Sequence, residues 1–328
     1  MNNITYFGNS AYCYSNSTAM LLSSVGENIP PSLIEVTGVV GVGAYALPDS
    51  NISFLSGYSG LPDKAISRAL RVLGFEFIEE SQEDANTAPL DKITDILMTS
   101  PVVIGPLDMG YLNYDPDSSH HFGVDHYVLL TEIQKDLAIV HDPAGFPNAA
   151  ISLDQLLLAW KAENISYREN YYRFWSNPKR VSSPTIDDIY QKTIESIREV
   201  YRLGEKYAAP KNRIIDVDAI RLMANNIKDN KMSKSDIGML TGFIFPVGAR
   251  RANDYADFFQ KHNESLSQLK RQQSSLLGLC QLYIANHDLE EVSETLLEYS
   301  DLEKQFKDAV LALITTYPNI STNPKKDL

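Results

Sequence analysis

The chain has 328 residues, of which 44% are hydrophobic and 22% are charged, and its formal net charge is −13. This length is typical of one large domain or two smaller ones, and the composition is that of an ordinary soluble globular protein. An acidic surface repels nucleic-acid phosphates and anionic lipids, and no stretch approaches the roughly 18 apolar residues of a membrane span. We therefore expect neither a nucleic-acid nor a membrane partner.

The first residues and the two cysteines indicate the compartment. The N-terminal segment has neither the basic region nor the apolar core of a signal peptide. Cys13 and Cys280 are far apart and do not form a disulfide framework. We expect a cytoplasmic protein with free thiols.

The first half of the chain alternates predicted helices and strands. Apolar spacing predicts helices over residues 13–25, 31–37, 62–73, 90–98 and 153–161. It predicts strands over residues 75–78, 102–106, 126–133, 137–141 and 171–175. The polar segment 111–125 is predicted to be a loop. These elements favour an α/β domain, in the α+β sense, at residues 1–177.

The second half of the chain is predicted to be helical. Composition changes at residues 176–184, which are rich in serine and proline and are predicted to form a linker. Apolar and aromatic residues then recur at helical spacing, and we expect the last of these helices to end before Pro318. Cys280 lies in one such stripe and is expected to fill the helical core. We therefore predict a C-terminal helical domain at residues 178–328.

A cysteine, a histidine and an aspartate stand at three element boundaries of the first domain. Cys13 opens the first predicted helix, His126 opens a strand, and Asp142 closes the next strand. A turn centred near Lys135 joins these two strands into a hairpin, which pairs Asp142 with residue 128 or 129. We therefore expect His126 and Asp142 to lie at the same end of the hairpin.

These three residue types are those of a thiol nucleophile site. A helix N-terminus and a nearby imidazolium both favour the thiolate that attacks. His126 would accept and return the proton, and Asp142 would fix its tautomer. The backbone N–H of Cys13, helped by the Asn9 side chain, is the candidate oxyanion donor. Taken alone, a cysteine before an apolar helix is more often a small buried residue.

The residues around Cys13 resemble a known family. Tyr12-Cys13-Tyr-Ser-Asn-Ser-Thr-Ala-Met-Leu-Leu and Gly38-Val-Val-Gly41-Val-Gly43-Ala-Tyr45 are similar to the N-terminal domain of the butirosin biosynthesis protein H family. The Asp125-His126-Tyr-Val and Asp142-Pro143 elements fit the same family and the larger group of papain-like cysteine peptidases. The resemblance covers about residues 5–175, and a looser one extends to the stretch around Arg250.

The resemblance implies a papain-like fold with a C-terminal helical domain and an acyltransferase of specialised metabolite (antibiotic) biosynthesis. The expected donor is a thioester on an acyl carrier protein, the expected acceptor is a small amine, and no cofactor is expected. Papain-like peptidases carry a glutamine a few residues before the cysteine, where this chain offers only Asn9. Peptidase or amidase activity is therefore the second expectation, and an inactive binding protein of the same fold is the third.

Two further groups of residues are candidate binding sites. Gly41, Gly43 and Tyr45 would bring backbone close to a substrate or form a tight bend, and Arg250 would hold a carboxylate or phosphate unless it lies on a solvated helix face. The loop with Asp115, Asp117, His120, His121 and Asp125 has the residue types of a metal site. Its spacing is not that of ligands on one helix or strand, so we expect no metal there.

Overall fold

The computed structural model of the protein describes residues 4–9, 11–46 and 50–313. The chain divides into two compact units, one formed by Met1–Val40 with Gly60–Pro184 and the other by Gly41–Ser59 with Thr185–Leu328. These units differ in two respects from the domains predicted at residues 1–177 and 178–328. The change between them falls after Pro184, and residues 41–59 join the helical unit. The expected helix end at Pro318 lies outside the described residues.

Eleven α-helices and eight strands are assigned within the described residues. The helices are α1 (Cys13–Ser23), α2 (Pro31–Gly38), α3 (Pro62–Val72), α4 (Leu90–Leu97), α5 (Leu153–Lys161), α6 (Ile186–Ala208), α7 (Asp216–Lys228), α8 (Lys234–Met239), α9 (Phe245–Phe259), α10 (Glu264–Ala285) and α11 (Leu289–Ala312). The strands are β1 (Tyr45–Ala46), β2 (Ser53–Phe54), β3 (Phe75–Gln82), β4 (Val102–Asp108), β5 (Asp125–Gln134), β6 (Leu137–Asp142), β7 (Phe146–Ser152) and β8 (Tyr171–Arg180). Helix and strand together confirm the α+β class.

The first unit is built around a six-stranded sheet. Its strand order is β3-β8-β4-β5-β6-β7, and every neighbouring pair is antiparallel. The central strand β4 is buried along its whole length, as its run of apolar residues predicts. One face of the sheet packs against α4 and α5 through a core that includes Ile93, Trp160 and Phe174. Burial of this apolar surface holds the strands that carry the candidate site.

The predicted hairpin is confirmed with its turn in the expected place. Gln134 pairs with Leu137 across a two-residue turn, and Leu129 pairs with His141 near the other end. A bulge between Leu130 and Glu132 shifts the register by one residue. After that shift the last pair of the two strands is Leu129 with His141, next to the expected position of Asp142.

Strand β7 and the short pair β1–β2 are not predicted by the sequence. β7 is an edge strand whose residues are mostly exposed, and it carries Pro147 and a left-handed Asn148. It therefore lacks the alternating apolar pattern that marks a half-buried strand. Strand β8 also extends beyond the predicted residue 175 to Arg180, whose guanidinium binds the Glu27 carboxylate at 2.5 and 2.6 Å.

The second unit is helical, as predicted, and two of its helices begin with capping boxes at Thr185 and Ser233. Its core includes Phe245, Leu277 and Cys280. Ala44, Ile52 and Leu55 from the segment 41–59 pack into the same core, which explains why that segment belongs with the helices. Among the described helices, none is long and apolar enough to cross a membrane.

Candidate functional site

Cys13 is the first residue of α1, and the residue before it has an uncommon backbone conformation. Tyr12 is the N-cap with φ 65° and ψ 41°, in the left-handed backbone region that residues other than glycine rarely adopt. The Tyr12 carbonyl accepts the first helical hydrogen bond from Asn16 at 2.8 Å. The N–H of Cys13 therefore opens the helix, where no intrahelical acceptor exists for it. This conformation presents the thiol at the start of the helix, where it is partly exposed.

His126 and Asp142 are brought together as the hairpin predicts. Both side chains are buried, and His126 Nε2 lies 2.6 Å from Asp142 Oδ1. His126 also forms a side-chain hydrogen bond with Cys13. The three predicted residues thus make one connected cluster, in which the imidazole lies between the carboxylate and the thiol.

Asp142 receives hydrogen bonds from three further groups. The Tyr114 hydroxyl donates to Oδ2 at 2.6 Å, and the Ala144 N–H donates to Oδ1 at 2.7 Å. The Tyr6 hydroxyl donates to the Asp142 backbone carbonyl at 2.7 Å. The sequence analysis missed Tyr6 and Tyr114, because no local pattern links a tyrosine in a polar loop to a strand end 28 residues away. Both carboxylate oxygens are therefore held by protein donors.

The pKa shifts in this cluster describe an ion pair. Burial alone would lower the pKa of His126, but the Asp142 carboxylate and the interactions with Cys13 raise it well above its ordinary value. Burial would raise the pKa of Asp142, but the charge of His126 and the donors on the carboxylate lower it. These shifts favour a protonated His126 beside an ionised Asp142, with the positive charge next to the Cys13 side chain.

Asn9, the predicted oxyanion donor, is tied to the helix that carries the thiol. The fully buried Asn16 donates its Nδ2 to Asn9 Oδ1 at 2.8 Å and to the Ala11 carbonyl at 2.7 Å. This arrangement fixes the segment that leads to Cys13. The role of the Asn9 amide toward a substrate stays a prediction.

Gly41, Gly43 and Tyr45 belong to the helical unit, where each has structural contacts. A Cβ at Gly41 would lie 2.9 Å from Arg251 Cδ. Gly43 has φ +75°, and its N–H donates to Glu303 Oε1 at 2.8 Å. These two glycines are therefore required by close packing and by backbone conformation.

The two remaining predicted substrate residues lie on different elements of the helical unit. Tyr45 is in β1, and its ring centroid lies 5.5 Å from that of Phe54. Arg250 is in α9. Their role in substrate binding, like that of the glycines, stays a prediction.

The acidic and histidine-rich loop forms two short 3₁₀ turns, Met109–Tyr111 and Ser118–His120. In the part of the chain that the structure describes, no three His, Cys, Asp or Glu side chains are grouped to hold a metal ion. The Asp125 carboxylate instead accepts a hydrogen bond from the Tyr167 hydroxyl at 2.8 Å.

Fold and site together define a protein of two units, in which the unit with the antiparallel sheet carries a buried His126–Asp142 pair beside the partly exposed Cys13. The chain is 38% identical over 304 residues to a Bacillus subtilis (strain 168) protein named "Uncharacterized protein YobF", covering 93% of this chain and 97% of that protein. The family profile of the YobF C-terminal domain matches residues 210–311, within the helical unit. The chain belongs to the YobF family.

Proposed function

We propose that this protein is a cysteine-dependent acyltransferase with a papain-like fold in its first unit. The observation that carries the proposal is the connected cluster in which Asp142 holds His126 at 2.6 Å and His126 hydrogen-bonds with Cys13. A thiol at a helix start beside an imidazole that is oriented by a carboxylate is the arrangement of an activated nucleophile. The resemblance of the residues around Cys13 to the butirosin biosynthesis protein H family is the reason for proposing acyl transfer as the reaction of this nucleophile.

The first half of the reaction makes an acyl-enzyme. The Cys13 thiolate attacks the carbonyl carbon of a thioester, such as one on an acyl carrier protein, and forms a tetrahedral intermediate. The Cys13 N–H at the start of α1 stabilises the negative oxygen. The intermediate collapses as the C–S bond to the donor breaks, and His126 gives its proton to the leaving thiolate.

The second half transfers the acyl group to an amine. The amine nitrogen attacks the Cys13 thioester, and His126, now neutral, accepts the proton that the nitrogen loses. The C–S bond to Cys13 breaks, so that an amide is released and the thiolate–imidazolium pair is restored. No electrons are exchanged, and no cofactor is needed in this sequence of steps.

The net charge of the chain supports an amine acceptor. An acidic surface attracts a cationic amine and raises its concentration near the protein over that of neutral competitors. Hydrolysis by the same three residues, as in a peptidase or amidase, differs only in the acceptor. The absence of a glutamine before Cys13 makes peptidase activity the weaker expectation.

Intact-mass spectrometry with N-acetylcysteamine thioesters tests the proposal. We expect an acyl adduct on the wild-type protein that is lost in Cys13→Ser and retained in Cys280→Ser. The adduct should persist in buffer for much longer than one turnover and collapse when spermidine or glucosamine is added, with formation of the amide. Hydrolysis of the adduct at the turnover rate without any amine would make the protein a hydrolase. A protein that forms no adduct with any acyl group tested would instead be a binding protein of this fold.

A further inference from the structure

The loop between β4 and β5 is anchored at both of its ends by one buried carboxylate. Asp108 Oδ1 accepts hydrogen bonds from the N–H groups of Gly110 and Gly123, each at 3.0 Å. Asp108 Oδ2 accepts from the Asn164 side chain at 2.8 Å. Asp108 is fully buried, so these bonds are shielded from water. The loop therefore has fixed ends, although its sequence is polar.

Tyr114 is the residue of this loop that reaches the candidate site. Its hydroxyl donates to Asp142 Oδ2 at 2.6 Å, and its ring packs edge-to-face against Phe146 with centroids 5.6 Å apart. Packing against Phe146, which begins β7, restricts the ring, so the hydroxyl is directed at the carboxylate.

We propose that Tyr114 is a positioning residue for the Cys13–His126–Asp142 site, whose hydroxyl fixes the Asp142 carboxylate with Oδ1 on the imidazole. This role rests on the proposed function, because a fixed carboxylate matters only if His126 transfers protons. The two oxygens of Asp142 are distinguished by their donors: Oδ1 has His126 and the Ala144 N–H, while Oδ2 has Tyr114. Without the Tyr114 hydroxyl, Oδ2 of the buried Asp142 carboxylate would lose the hydrogen-bond donor that the described residues provide to it.

The electrostatics agree with this geometry. Burial and the charge of Asp142 raise the pKa of Tyr114 well above its ordinary value, so the Tyr114 hydroxyl keeps its proton and remains a hydrogen-bond donor at neutral pH. Its bond is one of the interactions that lower the pKa of Asp142. The titratable groups that face this carboxylate are His126, Tyr114 and Tyr6, and the raised pKa of each favours its protonated form.

The variant that tests the role is Tyr114→Phe, which removes the hydroxyl and keeps the ring against Phe146. Tyr111→Phe is the matched control, because Tyr111 lies in the same loop and packs against Phe122. In protein labelled with ¹³C at aspartate Cγ, the Asp142 signal is assigned from its loss in Asp142→Asn. We expect its titration midpoint to rise by about 1 pH unit in Tyr114→Phe and to stay within about 0.2 unit of wild type in the control.

A second NMR signal reports the orientation of the His126 imidazole toward Asp142. The proton on His126 Nε2 should give a sharp downfield resonance in wild type and in Tyr111→Phe, and in Tyr114→Phe it should broaden through faster exchange with water. An unchanged Asp142 midpoint and an unchanged resonance in Tyr114→Phe would overturn the proposal. If Tyr114→Phe does not fold, the wild-type protein provides the test. The ¹³C chemical shift of Tyr114 Cζ must then change with pH at the same midpoint as Asp142, and that of Tyr111 Cζ must not.

These measurements separate the positioning role from the proposed function. Neither needs a thioester donor or a reactive thiol, so they stand even if Cys13 forms no acyl adduct. An acyl adduct on Cys13 together with an unchanged Asp142 midpoint in Tyr114→Phe would support the function and reject the role of Tyr114.

Discussion

The reaction of Cys13 with iodoacetamide measures how far the site favours the thiolate. The thiol hydrogen-bonds with His126, and the interactions with Asp142 and Cys13 raise the pKa of this imidazole, which favours the imidazolium. Replacing His126 with alanine removes that positive charge and leaves the helix start unchanged. We expect the native protein to be alkylated first at Cys13, and we expect the rate to fall in His126→Ala.

The expected size of the effect follows from the two cysteines. Burial raises the pKa of Cys280 to about 12, which leaves about one thiolate in 10⁵ at pH 7. An ordinary exposed thiol is about 3% thiolate at that pH, so Cys13 would react before Cys280 even without activation. The sharper comparison is with free glutathione at about pH 5.5, where an ordinary thiol is only about 0.1% thiolate.

At about pH 5.5 we expect Cys13 to react roughly 10 to 50 times faster than glutathione. A full thiolate would gain about 10³ in concentration and lose part of that gain because a less basic thiolate is a weaker nucleophile. His126→Ala should bring the rate to that of glutathione or below it. His121→Ala, which alters a histidine of the polar loop, should leave the rate unchanged.

Peptide mapping after limiting exposure to iodoacetamide gives the rates at both cysteines in one sample. Labelling of Cys280 before Cys13, or equally with it, would refute the activated nucleophile. A wild-type rate in His126→Ala would show that the imidazole does not stabilise the thiolate. A loss of reactivity in His121→Ala would show that a histidine of the polar loop, rather than His126, activates the thiol.

Three further outcomes are expected from substitutions at buried carboxylates. Asp142→Asn should keep the fold by circular dichroism and cut thioester turnover by about 10⁴, because the imidazole loses its tautomer control; a loss below about tenfold would contradict the role of Asp142. The pKa of Asp142 is lowered in the fold, so its stabilising effect is present above about pH 4 and lost as pH falls through the folded value. The melting temperature of wild type should therefore exceed that of Asp142→Asn by more at about pH 6 than at about pH 3. An equal difference at the two pH values would contradict a lowered pKa of Asp142. Glu303→Ala should lower the free energy of unfolding in urea by about 3–5 kcal/mol, because Lys270 keeps a buried charge without its carboxylate, whereas the exposed Glu298→Ala should change it by less than about 0.5 kcal/mol.

The sequence predicted the parts of the site that depend on short-range pattern. A run of apolar and β-branched residues on each side of a two-residue turn predicts the hairpin, and the hairpin brings His126 and Asp142 to the same end. The start of α1 at Cys13 follows from helical spacing and was confirmed to the residue. These predictions hold because strand pairing has a period of two and leaves little freedom in register.

The parts that were not predicted depend on contacts between distant segments. Tyr114 reaches Asp142 from a loop whose ends are held by Asp108, and no local periodicity encodes these contacts. Segment 41–59 was placed in the first domain by chain order, yet its apolar residues pack with the helices. Such packing depends on tertiary structure, which local propensity does not describe.

The His126–Asp142 pair in the first unit and the Lys270–Glu303 pair in the helical unit are both buried, but their cations are engaged in different ways. In the helical unit Glu303 accepts from Lys270, Gln273, Tyr201 and the Gly43 N–H, so both carboxylate oxygens and the lysine are engaged inside the core.

In the first unit Asp142 is just as fully engaged, but its partner His126 uses one ring nitrogen for the carboxylate and has a second ring nitrogen with which to serve a partly exposed thiol. A buried charge is therefore not by itself the mark of a site. What distinguishes the proposed site is a buried pair whose imidazole also interacts with a partly exposed thiol.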